Sequence, residues 1–127
     1  MRVLFVEDSD DDIMLVIREL EQAGYEITFA SVDNAAALRA ALEHGRWDVV
    51  IVDYSLPRFS APEALAVVKE RGLDLPCIVV SGSMDEAIVL TTMRFGACDY
   101  LLKGNLARLV PAIERELHRG GHACANA

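Results

Sequence analysis

Cysteine is scarce in this chain, three residues in 127, and an odd number cannot close into a complete disulfide framework. No Cys-x-x-Cys pair occurs, which removes the commonest zinc and redox signatures. Cys77 and Cys98 lie in apolar runs, where a thiol packs as a small hydrophobe, so a reduced, cytoplasmic protein is expected. His118, His122 and Cys124 are close in sequence but separated by Gly120 and Gly121, a poor frame for a metal. Basic charge is also short: 12 Lys and Arg against 20 Asp and Glu leave a net charge of −8. A nucleic-acid backbone or an anionic membrane is repelled by that balance, so direct nucleic-acid binding is not expected. No apolar run approaches the ~20 residues that cross a bilayer, and no basic stretch leads into a hydrophobic one, so neither a transmembrane helix nor a signal peptide is expected.

What remains is a composition of 53% hydrophobic and 25% charged residues, which suits one globular domain. Short apolar runs alternate five times with longer amphipathic stretches, the pattern of a parallel sheet covered on both faces by helices. The strands are expected at Val3 to Val6, Ile27 to Ala30, Val49 to Val52, Cys77 to Val80 and Tyr100 to Leu102. Helix starts are expected at Asp10, at Asp33, at a capping box of Ser60 and Glu63, at a second box of Ser83 and Glu86, and at Asn105. Gly24, Gly45, Gly72 and Gly96 supply the stops. The last helix carries a stripe of Leu106, Leu109, Val110, Ile113 and Leu117, with Pro111 expected to kink it. Trp47, Phe59 and Phe95 read as packing residues. The expected fold is α/β: a doubly wound five-stranded parallel sheet with five flanking helices, flavodoxin-like, over residues 1–119, with 120–127 a flexible tail or linker stub.

In such sheets ligands bind at the carboxyl ends of the strands. That edge receives Glu7 and Asp8 after the first strand, Asp53 after the third, Ser81 after the fourth and Lys103 after the fifth. Carboxylates gathered there repel by about 4 kcal/mol per pair at 4 Å and an effective dielectric near 20, so a cation must hold them. An oxygen-only set suits a hard divalent ion, and a small open site favours Mg²⁺, which keeps waters and leaves room for phosphate oxygens. With Lys103 the pocket approaches neutrality and can take a phosphoryl group, whose transfer needs positioning and charge stabilisation above all. Five of the six residues from Glu7 to Asp12 are acidic. Asp10, Asp11 and Asp12 read chiefly as the first turn of a helix, where the dipole favours them, with Asp10 a candidate for a solvent-side role. An EF-hand reading of Asp8, Asp10, Asp12 and Glu19 fails because Ile13 stands where the loop needs Gly.

The order Glu7-Asp8, Asp53 after a β-branched strand, Ser81, Tyr100 and Lys103 resembles the receiver domain of bacterial two-component response regulators, from Arg2 to about Arg119. The resemblance implies a phosphoacceptor at Asp53, loaded by a sensor histidine kinase or a phosphotransfer protein. It implies Mg²⁺ held by Glu7, Asp8, Asp53 and the backbone carbonyl of Ser55, with Lys103 and Ser81 contacting phosphoryl oxygens. Tyr100 would rotate inward as Ser81 moves, biasing the surface of the helix from Met84 to Phe95, the fifth strand and the last helix. Gly82 stands where the family carries a small side chain, implying a more mobile loop. Gly104 stands where many members have a cis proline, implying a trans bond. Ser55 and Ser83 leave water a path to the acyl phosphate, so modest to fast self-dephosphorylation is expected. The chain would be a switch and not an enzyme with an outside substrate, its output partner or fused domain unnamed, with self-association through the last helix an open option. Two alternatives stand beside this: an Mg²⁺-dependent phosphatase-like enzyme with an aspartyl nucleophile, which normally needs a second Asp where Ser55 lies, and a degenerate receiver acting as a phosphate-independent binding module.

Overall fold

The computed structural model describes residues 1–54, 56–72, 75–83 and 85–118. Ser55, Met84 and the tail from Arg119, with its His122 and Cys124, lie outside them. Five strands, β1 (Arg2–Val6), β2 (Thr28–Val32), β3 (Val49–Asp53), β4 (Cys77–Ser81) and β5 (Asp99–Leu102), alternate with α1 (Asp10–Gln22), α2 (Ala35–His44), α3 (Ala61–Glu70), α4 (Glu86–Arg94) and α5 (Leu109–His118). All pairings are parallel, in the order β2-β1-β3-β4-β5. The order reverses between β1 and β3, which opens a crevice at their carboxyl ends.

Strand parity builds two cores. Leu4, Val6, Val50, Val52 and Val79 point to the face covered by Leu38 and Leu42 of α2 and by Ala64, Leu65 and Val68 of α3. Val3, Phe5, Val49, Ile51, Ile78 and Val80 point to the opposite face, packed by Ile13, Val16, Ile17 and Leu20 of α1 and by Leu109 and Ile113 of α5. Each fully buried aliphatic side chain contributes about 1.5–3 kcal/mol of transfer free energy. Continuing the second parity past the strand ends carries Phe5 to Glu7 and Ile51 to Asp53, so both acids emerge on the α1 and α5 side.

Helix α1 begins as the pattern predicts: the Ser9 hydroxyl accepts from the Asp12 amide at 3.3 Å, and three Asp fill the first turn. Beyond its end, Gly24 takes φ 96°, a backbone state that side chains disfavour. The Ser60 cap of α3 is likewise present, accepting from Glu63 N at 3.2 Å.

Several expectations need correction. Asn34, not Asp33, caps α2, its Oδ1 accepting from Ala37 N at 2.8 Å. Asp85, not Ser83, caps α4, accepting from Ala87 N and Ile88 N. The Ser83 amide instead donates to Ser81 Oγ, which keeps that residue in the preceding loop. Asn105 makes no side-chain cap; a 3₁₀ turn over Leu106–Arg108 intervenes and α5 starts at Leu109. Pro111 therefore falls in the first turn of α5, where its missing N–H costs nothing. Leu117 is exposed, and Ala112 and Glu116 occupy the buried stripe in its stead. Phe95 is 44% exposed, whereas Phe59 is buried. Strand β2 runs to Val32, two residues beyond the apolar run. Cys98 is disulfide-bonded, contrary to the expectation of reduced thiols. Cys77 is a buried free thiol whose pKa burial pushes up to about 12, so it is chemically quiet. Among the described residues no helix is long and apolar enough to cross a membrane.

Candidate phosphoryl-acceptor and metal site

The carboxyl edge brings together residues from three strand ends. Oxygens of Glu7, Asp8 and Asp53 all lie within 4.8 Å of one another. Glu7 and Asp53 are 7% and 6% exposed, unusually buried for acids, while Asp8 is open to solvent. Glu7 is fixed by its own loop, Oε1 accepting from Asp8 N and Ser9 N, both at 3.1 Å. Burial, followed by the nearby Asp53 charge, outweighs the Ser9 amide and the Lys103 charge and raises the Glu7 pKa from 4.5 to about 7. Formally, the three gathered acids outnumber the single lysine beside them. An all-oxygen cluster of two buried acids and one exposed acid fits a hard divalent ion that keeps part of its water shell.

Lys103 supplies the positive charge. Its Nζ lies 3.4 Å from Asp53 Oδ1 and 3.5 Å from Glu7 Oε2, and it donates to Asp12 Oδ2 at 2.6 Å. Burial lowers the Lys103 pKa, but the Asp12 hydrogen bond and the Asp53 and Glu7 charges prevail and hold it above its ordinary value. The backbone secures this placement: Lys103 N donates to Ser81 O at 2.8 Å. Its peptide link to Gly104 is trans, as expected. Beneath the charged groups, Phe5, Ile51 and Val80 form an apolar floor that strengthens every electrostatic contact above it.

Ser81 is buried at the end of β4, its hydroxyl accepting from Ser83 N at 3.3 Å. Tyr100 is only 4% exposed. Its ring is turned inward, tilted against Tyr54 with centroids 6.1 Å apart, and its hydroxyl donates to Ser83 O at 3.3 Å. Tyr100 and Ser81 thus meet at the same short loop. The Ser55 carbonyl lies outside the described residues.

The residue that sequence reasoning undervalued is Asp12. Read as a helix-start acid, it is also the nearest carboxylate to Lys103, whereas Asp10, the candidate for a solvent-side role, is exposed and has no such contact. Helical geometry carried the missing signal, since the third residue of α1 lies at the strand ends beside Glu7, Asp53 and Lys103.

Comparisons with known proteins agree with this geometry. The sequence model of the response regulator receiver domain matches residues 3–114. Protein-glutamate methylesterase/protein-glutamine glutaminase 2 of Caulobacter vibrioides is 33% identical over 97% of this chain and 38% of its own length. Two-component response regulator ARR10 of Arabidopsis thaliana is 31% identical over 81% of this chain and 18% of its own length. The chain thus spans well under half the length of these two relatives. Among solved structures, the Mn(2+)-bound form of response regulator Rcp1 is similar with a TM-score of 0.70 and 25% identity, over 89% of this chain and 91% of that one.

Proposed function

Because the chain belongs to the family of response regulator receiver domains, we propose that it works as a phospho-switch in which Asp53 accepts a phosphoryl group from a sensor histidine kinase or a phosphotransfer protein. The observation that carries this is the clustering of Glu7, Asp8 and Asp53 oxygens within 4.8 Å beside Lys103. In the transfer, one Asp53 carboxylate oxygen bonds to phosphorus while the phosphorus–nitrogen bond of the donor histidine breaks and the nitrogen keeps the electron pair. Lys103 and the Ser81 hydroxyl then bond phosphoryl oxygens, contacts unavailable to a bare carboxylate.

Mg²⁺ is the expected cofactor, held by Glu7, Asp8, Asp53 and the Ser55 carbonyl; when bound, it supplies charge neutralisation for the gathered acids and the incoming phosphoryl oxygens. That the response regulator Rcp1 has a Mn(2+)-bound form supports a divalent ion as the cofactor. On this reading the unit is residues 1–119, acts in the cytoplasm, catalyses only its own phosphorylation and dephosphorylation, and passes its state through Ser81 and Tyr100 to α4, β5 and α5. Ser55 in place of a second acid disfavours the phosphatase-like alternative, and the intact acids with Lys103 disfavour a degenerate receiver.

The test is incubation with a small phosphodonor and Mg²⁺, with mass measured on the wild type and on Asp53→Asn. The wild type gains one phosphate and the variant none; equal uptake by both would sink the assignment of Asp53.

A further inference from the structure

The shortest ionic contact at the site belongs to an acid outside the metal cluster. Lys103 Nζ lies 2.6 Å from Asp12 Oδ2, against 3.4 Å from Asp53 and 3.5 Å from Glu7. The first is a full charge-assisted hydrogen bond, while the other two act mainly through charge. Asp12 is the third residue of α1, where an acidic side chain ordinarily folds back onto the amide of the capping residue. Here the Ser9 amide is already taken by Glu7 Oε1 at 3.1 Å. The Asp12 carboxylate is thereby released to reach a partner 91 positions along the chain.

From this geometry we infer that Asp12 is a positioning residue: it parks Lys103 in the unphosphorylated state and competes for it with the phosphoryl group that arrives on Asp53. The inference rests on the reading of Asp53 as acceptor. Phosphorylation replaces the single charge of Asp53 with a group carrying close to two, a net gain of about one negative charge, and brings three strong acceptors beside Lys103, so the ammonium is drawn toward them and its bond to Asp12 breaks. Asp12 is not stranded by the loss, because it sits in the first turn of α1, where the helix dipole stabilises an anion. The exchange couples the state of Asp53 to the start of α1, a region distinct from the Ser81 and Tyr100 route. Both side chains are partly exposed, 26% for Lys103 and 32% for Asp12, so the competition is worth a modest factor.

The test titrates Mg²⁺ and beryllofluoride, a phosphoryl mimic, into the full chain and follows backbone amide NMR signals. Asp12→Asn removes the charge while keeping the size, and is expected to bind the mimic roughly two- to fivefold more tightly than wild type, the factor that a partly exposed ion pair supplies. In a Lys103→Met background the same substitution brings no gain. Unchanged or weaker binding by Asp12→Asn overturns the inference, and so does a gain that persists without Lys103, which would mark a general charge effect. Thermal unfolding in EDTA separates a merely structural role: the effect of Asp12→Asn must disappear in Lys103→Met, and an equal effect in both backgrounds refutes the pairing. If wild type binds no mimic, the acceptor reading and the competition fall together; if only the Asp12 arm fails, the acceptor reading stands.

Discussion

The two ends of the sheet solve the same electrostatic problem in opposite ways. At the amino edge Arg2, Trp47 and Asp48 each have a dedicated partner. Arg2 N donates to Asp48 Oδ2 at 2.8 Å, the Arg2 guanidinium lies 5.2 Å from the Trp47 ring centre, and its Nε donates to the Arg46 carbonyl. Trp47 in turn donates to Ala41 O at 2.9 Å. At the carboxyl edge, Glu7, Asp12 and Asp53 share one Lys103, and Asp8 adds a further negative charge. A folded chain accepts such an unsettled cluster only where the rest of the structure over-determines it, and the lesson is that one edge is built for stability and the other for a ligand.

If that contrast is right, substitutions at the two edges should move stability in opposite directions. The largest change is expected at the amino edge. A Cβ on Gly45 would lie 2.8 Å from Trp47 Nε1, so Gly45→Ala must displace the indole from its place beside Arg2 and the Ala41 carbonyl. We expect a loss of about 1–3 kcal/mol in urea unfolding, the cost of overpacking a fitted site. An unchanged midpoint would mean that Trp47 is not held there. At the carboxyl edge, Asp53→Asn removes a buried charge that Glu7 repels, and should stabilise the metal-free protein by about 1 kcal/mol. In the wild type, Mg²⁺ should then raise the melting temperature by mass action, and in the variant it should do so far less. A destabilised Asp53→Asn in EDTA would break the contrast.

The pH dependence is the next largest effect, and its sign follows from Glu7. Its folded pKa of about 7 exceeds the ordinary 4.5, so the folded state binds a proton that the unfolded chain has released. The stability contributed by Glu7 is fully present below about pH 4.5 and lost as pH rises through about 7. Melting in EDTA should fall across that window in the wild type, and the fall should shrink in Glu7→Gln; parallel profiles for the two proteins would refute the assignment. Mg²⁺ should bind more tightly as the same proton leaves.

How much of this was legible in the sequence depends on whether the signal was local. Strand-end identity placed Glu7, Asp8, Asp53, Ser81 and Lys103 at one edge because βα alternation fixes which end faces the crevice. Periodicity found all five helices, but two caps were assigned wrongly, since Asp33 beside Asn34 and Ser83 beside Asp85 offer neighbouring residues of similar capping ability, and only backbone geometry chooses between them. The start of α5 was missed because a 3₁₀ turn leaves the same residue types in nearly the same spacing. The Asp12 contact was invisible for a different reason: it joins residues 91 positions apart through a side chain whose usual partner another acid had taken.

The smallest expected effect sharpens that last point. Asp10 and Asp12 share one helical turn and one residue type, so an account based on the helix dipole alone treats them alike, each worth about 0.3–1 kcal/mol at an exposed N-terminus. The structure separates them, because Asp12 bonds Lys103 and Asp10 faces solvent. Asp10→Asn should lower stability by no more than a few tenths of a kcal/mol in physiological salt, where the dipole interaction is screened. It should leave Mg²⁺ affinity within measurement error when titrated by calorimetry. If Asp10→Asn instead weakened Mg²⁺ binding as strongly as Asp8→Asn, the division of the acidic run into metal, lysine and helix residues would collapse, and the whole run would act as one diffuse negative field.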